Sequence, residues 1–259
     1  MKKESIHIIL FFIISSLLLS CKKKQTLFLN SAITAYSDDF EQYRAIDSTF
    51  FNADRWSFYQ LTEKGNSLDI DSINVHSGKY ALKCYAVGTQ NKNVSKATIQ
   101  KQGIAWQEGD TIHFEGYFYI DGNLENLFIL DIEESAYISY SPGIRLMFSK
   151  EAYLVVERGK MNMSTINQKP GKQVVFPLKQ WVKISYELLF SQKKKGFVKV
   201  WQDNQLVLEK HDIKTMPEDI LYFTLGTSKI YSNFEIGITA NAGESPTTLY
   251  LDDIRVWKK

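Results

Sequence analysis

Cysteine is scarce. Only Cys21 and Cys84 occur in 259 residues, which excludes a disulfide-stapled scaffold and a Cys-rich zinc module. Charge of one sign is also lacking. Lys plus Arg number 31 and Asp plus Glu 29, a formal charge of +2, so bulk charge gives no support to a nucleic-acid partner. No sustained 3.6-residue apolar period, internal repeat or long linker interrupts the body of the chain. The four histidines have no spacing to Cys or Asp that suggests zinc. What is present is a hydrophobic fraction of 44% against 23% charged residues, enough for a sizeable core and too apolar for global disorder. Aromatics reach 14%, a composition that suits β-sheets.

The one long apolar run is N-terminal. A basic start, Met1-Lys2-Lys3, leads into an apolar stretch over 6–19 that ends in Leu18-Leu19-Ser20-Cys21. This is a signal-peptide layout, too short for a confident membrane span. Leu-Leu-Ser-Cys resembles the lipobox of bacterial lipoproteins. The resemblance implies cleavage before Cys21, lipidation of that residue, and a lipoprotein held in the cell envelope at the outer membrane, its face left open. The expected organisation is a signal peptide over 1–20, a lipidated tether over 21–35 and a folded domain over 36–259. Lys22, Lys23 and Lys24 either lie against anionic headgroups or form part of a solvated tether. With Cys21 lipidated, Cys84 has no partner, and its alternating strand (Tyr80, Leu82, Cys84 and Ala86 on one side) predicts a buried, inert thiol.

From residue 36 onward the chain reads as short alternating runs: 111–120, 126–133, 143–148, 153–157, 181–189, 197–201, 206–209, 234–240 and 248–257. Turn residues such as Asp121-Gly122-Asn123 and Asp203-Asn204 separate them. Many short strands with turns between predict an all-β fold, an antiparallel β-sandwich of one domain. In 181–188, Val182, Ile184, Tyr186 and Leu188 face one way and Lys183, Ser185 and Glu187 the other, so a one-residue slip would bury three polar groups.

Four stretches carry a likeness to a family. They are 181–204 with its Gly196-Phe197-Val198-Lys199-Val200-Trp201 hairpin, Leu221-Tyr222-Phe223-Thr224-Leu225-Gly226, Ser141-Pro142-Gly143-Ile144-Arg145-Leu146, and Thr248-Leu249-Tyr250-Leu251-Asp252-Asp253-Ile254-Arg255-Val256. Together they resemble concanavalin A-like jelly rolls (the lectin/glucanase type), in particular polysaccharide lyases of the alginate- and heparin-lyase type. Such lyases neutralise a uronate carboxylate with Arg or Gln and move the C5 proton with Tyr or His. The counterparts of those positions here are Lys96-Ala97-Thr98, Asp131-Ile132-Glu133 and the segment 222–228. The resemblance thus implies the fold without the usual catalytic set: Asp131 and Glu133 stand where Gln and His would be, and Ser228 where Tyr would be. Ionised, those carboxylates would repel a uronate. Ile129-Leu130-Asp131-Ile132-Glu133-Glu134 also resembles the acidic strand of laminarinase-type glycosidases, with Ile129 at the nucleophile position. That leaves Asp131 and Glu133 as an acid/base pair about 7 Å apart if the protein is an enzyme.

In 111–120, Ile112, Phe114, Phe118 and Ile120 form an apolar side. His113, Glu115, Tyr117 and Tyr119 form a side that offers rings to stack on and groups to bond hydroxyls. Asp131, Glu133 and Arg145 are expected to extend this row on the following strands. The expected partner is a polysaccharide or oligosaccharide bound in a concave groove lined by these seven residues. The alternatives are a lyase or hydrolase, and a structural lipoprotein that docks a partner protein. Finally, Ser37-Asp38-Asp39-Phe40-Glu41, His76-Ser77-Gly78-Lys79-Tyr80 and Asp252-Asp253 resemble carbohydrate-binding jelly rolls whose first and last strands adjoin. That resemblance implies a structural Ca²⁺ held by Glu41, the Lys79 carbonyl, and Asp252 or Asp253.

Overall fold

A computed structural model describes residues 33–52, 54–89, 94–133, 143–159, 161, 164–217, 221–222, 227–228 and 230–259. Cys21 and its flanks, Glu134, Ser141 and Pro142, and the side chains of 221–229 lie outside the described residues. No α-helix forms among the described residues.

Two antiparallel sheets pack face to face. The first holds β1 (Ala35–Asp38), β3 (Ser67–Asp71), β4 (Ala81–Ala86), β6 (Thr111–Gly122), β11 (Val182–Leu189), β12 (Gly196–Gln202), β13 (Gln205–Ile213) and β17 (Thr247–Lys258). Its order is β13-β12-β11-β6-β17-β4-β3, with β1 also on β17. The second holds β2 (Phe58–Leu61), β5 (Ser95–Gln107), β7 (Leu127–Glu133), β8 (Ile144–Phe148), β9 (Leu154–Arg158), β10 (Ser164–Ile166) and β16 (Ile230–Asn241). Its order is β10-β9-β8-β7-β16-β5-β2. β14 (Leu221–Tyr222) and β15 (Thr227–Ser228) pair separately. This is the all-β sandwich that the alternating runs predicted.

The core is the product of that alternation. Phe114, Phe118, Val182, Ile184, Tyr186, Leu188, Leu249 and Leu251 come from the first sheet. Ile99, Ile129, Ile144, Leu146, Phe234 and Ile236 meet them from the second. Truncating any one large member to Ala costs about 2–5 kcal/mol. Cys84 is fully buried in this core, and burial raises its thiol pKa above the usual range, so it stays a protonated, inert filler.

The crossing between sheets falls at Gly122. Only four residues separate β6 from β7, which reads as a hairpin. Both edges of β6 are already taken, by β11 and by β17, so the chain has to cross to the other sheet. Gly122 permits this at φ 143°. A Cβ there would lie 2.8 Å from Thr247 Cα.

Candidate functional site

The seven residues expected in one row occupy two opposite faces. His113, Glu115, Tyr117 and Tyr119 share the outer face of the first sheet, as their alternation predicted. Asp131 and Glu133 lie on β7, and Arg145 on β8, in the second sheet. The expectation of a continuous row is therefore corrected: β7 pairs with β8 and β16, not with β6.

On the first sheet each member of the row has a partner. His113 stacks on Trp257 with centroids 5.1 Å apart and lies 3.3 Å from Glu187. Lys183 meets Glu115 at 2.9 Å. The His76 ring covers Tyr117 at 3.5 Å, and Tyr119 contacts Trp181 and Tyr250.

The second sheet carries a denser polar constellation. Along β5, Ala97 and Ile99 enter the core while Lys96, Thr98 and Gln100 project from the opposite face. Register places Glu235 of β16 between Gln100 and Asp131, and Asn233 between Gln102 and Glu133. Side chains knit the strands together. Thr98 Oγ1 donates to Glu235 at 2.5 Å, and Lys96 Nζ lies 3.3 Å from the same carboxylate. Gln100 Nε2 donates to Glu133 at 3.4 Å, Gln102 Nε2 to Gln100 at 3.1 Å, and Thr239 Oγ1 to Asp131 at 3.1 Å. Phe58 on the edge strand β2 stands opposite Gln100, with 48% of its surface exposed.

Three carboxyl groups thus crowd one small area, and two of them are almost wholly buried: Asp131 is 3% and Glu235 1% exposed. Burial, reinforced by the Glu235 charge, raises Asp131 to about 7. Burial, then Glu235 and Asp131, raises Glu133 to about 8. Like charges so close cannot all ionise. A carboxyl that keeps its proton near neutral pH donates a hydrogen bond instead of repelling an anion. The repulsion expected from the sequence assumed ionised side chains, and burial removes that premise.

Residues that the sequence pattern did not single out include Gln100, Gln102, Asn233 and Glu235. Their signal is a polar alternation, Lys96-x-Thr98-x-Gln100-x-Gln102, matched by Asn233-x-Glu235.

A chain with this sandwich and this polar strand face invites comparison with known proteins. A family profile described as polysaccharide lyase matches residues 49–255. The chain belongs to the polysaccharide lyase family. Solved structures agree in fold. An endo-β-1,4-glucuronan lyase from the fungus Trichoderma reesei superposes with a TM-score of 0.64 at 12% identity, over 87% of this chain and 95% of its own. A cellulose-induced protein superposes at 0.60 with 16% identity, over 85% and 96%. A mutant alginate lyase in complex with an alginate tetrasaccharide gives 0.51 at 8%, over 87% and 97%. No curated protein matches the chain in sequence.

The expected calcium ligands gather around residues 76–80. Glu41 accepts the Lys79 and Tyr80 N–H groups at 2.7 and 2.8 Å. Asp252 accepts those of His76 and Ser77 at 3.0 and 3.1 Å. The Lys79 N–H thus ties Glu41 to this turn. Glu41, Asp39 and Asp253 line one cavity of about 600 Å³, and His76, Asp252 and Asp253 bring ligand atoms within 4.8 Å of one another. Asp252 is fully buried, with no Lys or Arg partner among the described residues. Three backbone N–H groups, the third from Asp253, meet the Asp252 carboxylate, and the carboxylates of Asp252 and Asp253 beside the His76 ring are the oxygen donors that a hard cation takes.

Proposed function

We propose that the protein is a cell-envelope lipoprotein that binds an acidic polysaccharide on the outer face of the second sheet, around Gln100, Glu133, Asn233 and Glu235. The observation that carries this reading is the buried, hydrogen-bonded polar row on a face turned away from the core. A core-packing role would favour apolar side chains there. Lys96 and a protonated Glu133, the part-exposed members of the row, supply donors at its surface, Gln100 holds Glu133 in place from beneath, and exposed Phe58 offers a ring at the margin. Together they suit a sugar bearing hydroxyls and a carboxylate. Membership of the polysaccharide lyase family supports the same ligand class. The anchor at Cys21 completes the reading, and the loop at 76–80 serves as a structural calcium site through Glu41, Asp252 and Asp253.

Affinity gels cast with glucuronan, alginate or a neutral glucan test the ligand, and Cys21→Ala tests the anchor. Retention by an acidic polymer, reduced at least tenfold in Gln100→Ala, is expected; release of Cys21→Ala from membranes is expected. No retention on any polymer would favour a structural lipoprotein that docks a protein.

One observation favours catalysis as a second reading. A Glu133 pKa raised towards working pH suits proton transfer. Absorbance near that of a conjugated uronate would reveal elimination, reducing ends would reveal hydrolysis, and Glu133→Gln would abolish either.

A further inference from the structure

The first sheet carries a second cleft, remote from the polar face of the other sheet. It has a volume of about 370 Å³, within the range of about 300–1,000 Å³ usual for small-ligand sites. Trp201 of β12 forms one wall and Trp257 of β17 the other. Two strands, β11 and β6, separate them, so the walls stand about 14 Å apart at the usual strand spacing. The floor between is low because Ser185, the residue directly opposite Trp201, is small.

Trp201 is the informative residue. The alternation of β12 sends Val198 and Val200 inward and turns Trp201 outward. There it is half-buried, with no ring contact among the described residues. Trp257, by contrast, already stacks on His113. A large apolar ring on a solvent face, beside a polar floor, is the arrangement that a pyranose ring uses: one face stacks and the hydroxyls bond. The floor supplies both bonding senses at once. The Lys183–Glu115 pair is at 2.9 Å, and Glu187 lies beside His113 at 3.3 Å.

The charge balance chooses the ligand class. Lys183 offsets Glu115. Glu187 stands beside His113 and directly opposite Lys199, and Arg255 lies 4.7 Å over the Trp257 ring. Cations and carboxylates thus alternate across the cleft, so it has no net pull on an anionic ligand, while a neutral sugar bonds to groups of both signs.

We propose that the cleft between Trp201 and Trp257 is a second saccharide site, for a neutral hexose oligosaccharide, independent of the polar face on the opposite sheet. This site goes beyond the acidic-polysaccharide function and stands or falls separately from it.

Titrating the intact protein with cellohexaose and laminarihexaose, followed by tryptophan fluorescence and calorimetry, tests it. At least one probe is expected to give a saturable change. Trp201→Ala is expected to weaken that binding tenfold or more. Ser185→Tyr, which fills the floor without touching the core, is expected to do the same with an unchanged melting temperature. Gln100→Ala, on the other sheet, is expected to leave it unaltered. The proposal is overturned if neither probe binds, if Ser185→Tyr binds like the parent, if Gln100→Ala removes the signal, or if only glucuronan oligosaccharides respond to the Trp201 change.

Discussion

Arg145 stands directly opposite Asp131 across β7 and β8, yet its guanidinium donates to Glu157, through Nε at 2.9 Å. It also lies 4.0 Å above the Phe128 ring. The nearest strong cation is thus committed elsewhere. Arg145 and Lys96 lower the Asp131 pKa, but less than burial and Glu235 raise it. Burial, reinforced by Glu235, outweighs both cations and holds the Asp131 and Glu133 carboxyls above the usual range.

A pH dependence of stability follows. Asp131 and Glu133 have folded pKa values above their unfolded ones, so between about pH 5 and 8 the folded state binds more protons than the unfolded chain. Stability must then fall as pH rises through that window. A tenfold change in proton affinity is worth about 1.4 kcal/mol. Because the neighbouring carboxyls share their protons, the loss comes to about 1–3 kcal/mol. That corresponds to about 2–10 °C in Tm. Thermal melts from pH 5 to 8 should show the decline, and Glu133→Gln should flatten it. A Tm that rises over this range contradicts the assignment.

Asp38 ties the first strand to the end of the sandwich. It is buried and accepts from Phe40 N, Tyr43 Oη and Trp56 Nε1, each at 2.8 Å, and from Tyr36 Oη at 3.3 Å. Replacing it with Ala orphans several buried donors, each costing about 1–3 kcal/mol. A total loss of about 3–5 kcal/mol is expected in urea unfolding, with Asp38→Asn losing less.

Gly122→Ala is expected to destabilise by about 2–4 kcal/mol, since the new methyl meets backbone at Thr247 and Pro246 in a conformation unfavourable to L residues. Gly109→Ala is a useful control. It also has positive φ, but nothing lies within 4 Å of its added Cβ. Its cost should be about 1 kcal/mol, the conformational part alone.

Calcium at residues 76–80 predicts a thermal shift. Adding calcium chloride at a hundredfold excess over Kd should stabilise by about 2.7 kcal/mol, and a chelator should reverse it. Asp252→Asn should lose the response. Equal melting curves with calcium and with chelator would remove the ion from the account.

Strand alternation made much of the fold legible. The runs at 111–120, 181–189 and 248–257 became β6, β11 and β17, and the inward set Val182, Ile184, Tyr186 and Leu188 is the one the pattern indicates. The partner of each strand was less legible, because alternation fixes a face and not a neighbour. The short connection after Gly122 looks like a hairpin, which joins His113 and Tyr117 to Asp131 and Arg145. Only the occupied edges of β6 show why they separate. The polar row on β5 is obscured because Lys101 breaks its alternation. This lysine stands opposite Phe234 and is fully buried, its Nζ donating to the Arg55 carbonyl at 2.5 Å. Nothing in a sequence window announces that arrangement. The raised pKa of Glu133 is equally hidden, since it depends on burial within the folded sheet and on Glu235, about a hundred residues away.

Glucuronan binding measured against pH, in the parent and in Glu133→Gln, decides whether protonated carboxyls on the second sheet hold the ligand. The parent is expected to bind at pH 6 and to lose affinity tenfold or more by pH 9, as Asp131 and Glu133 ionise and turn from donors into repellent charges. Glu133→Gln is expected to hold its affinity more nearly constant over that range. Affinity that is absent at pH 6, or that falls identically in both proteins, would contradict that role of the carboxyls.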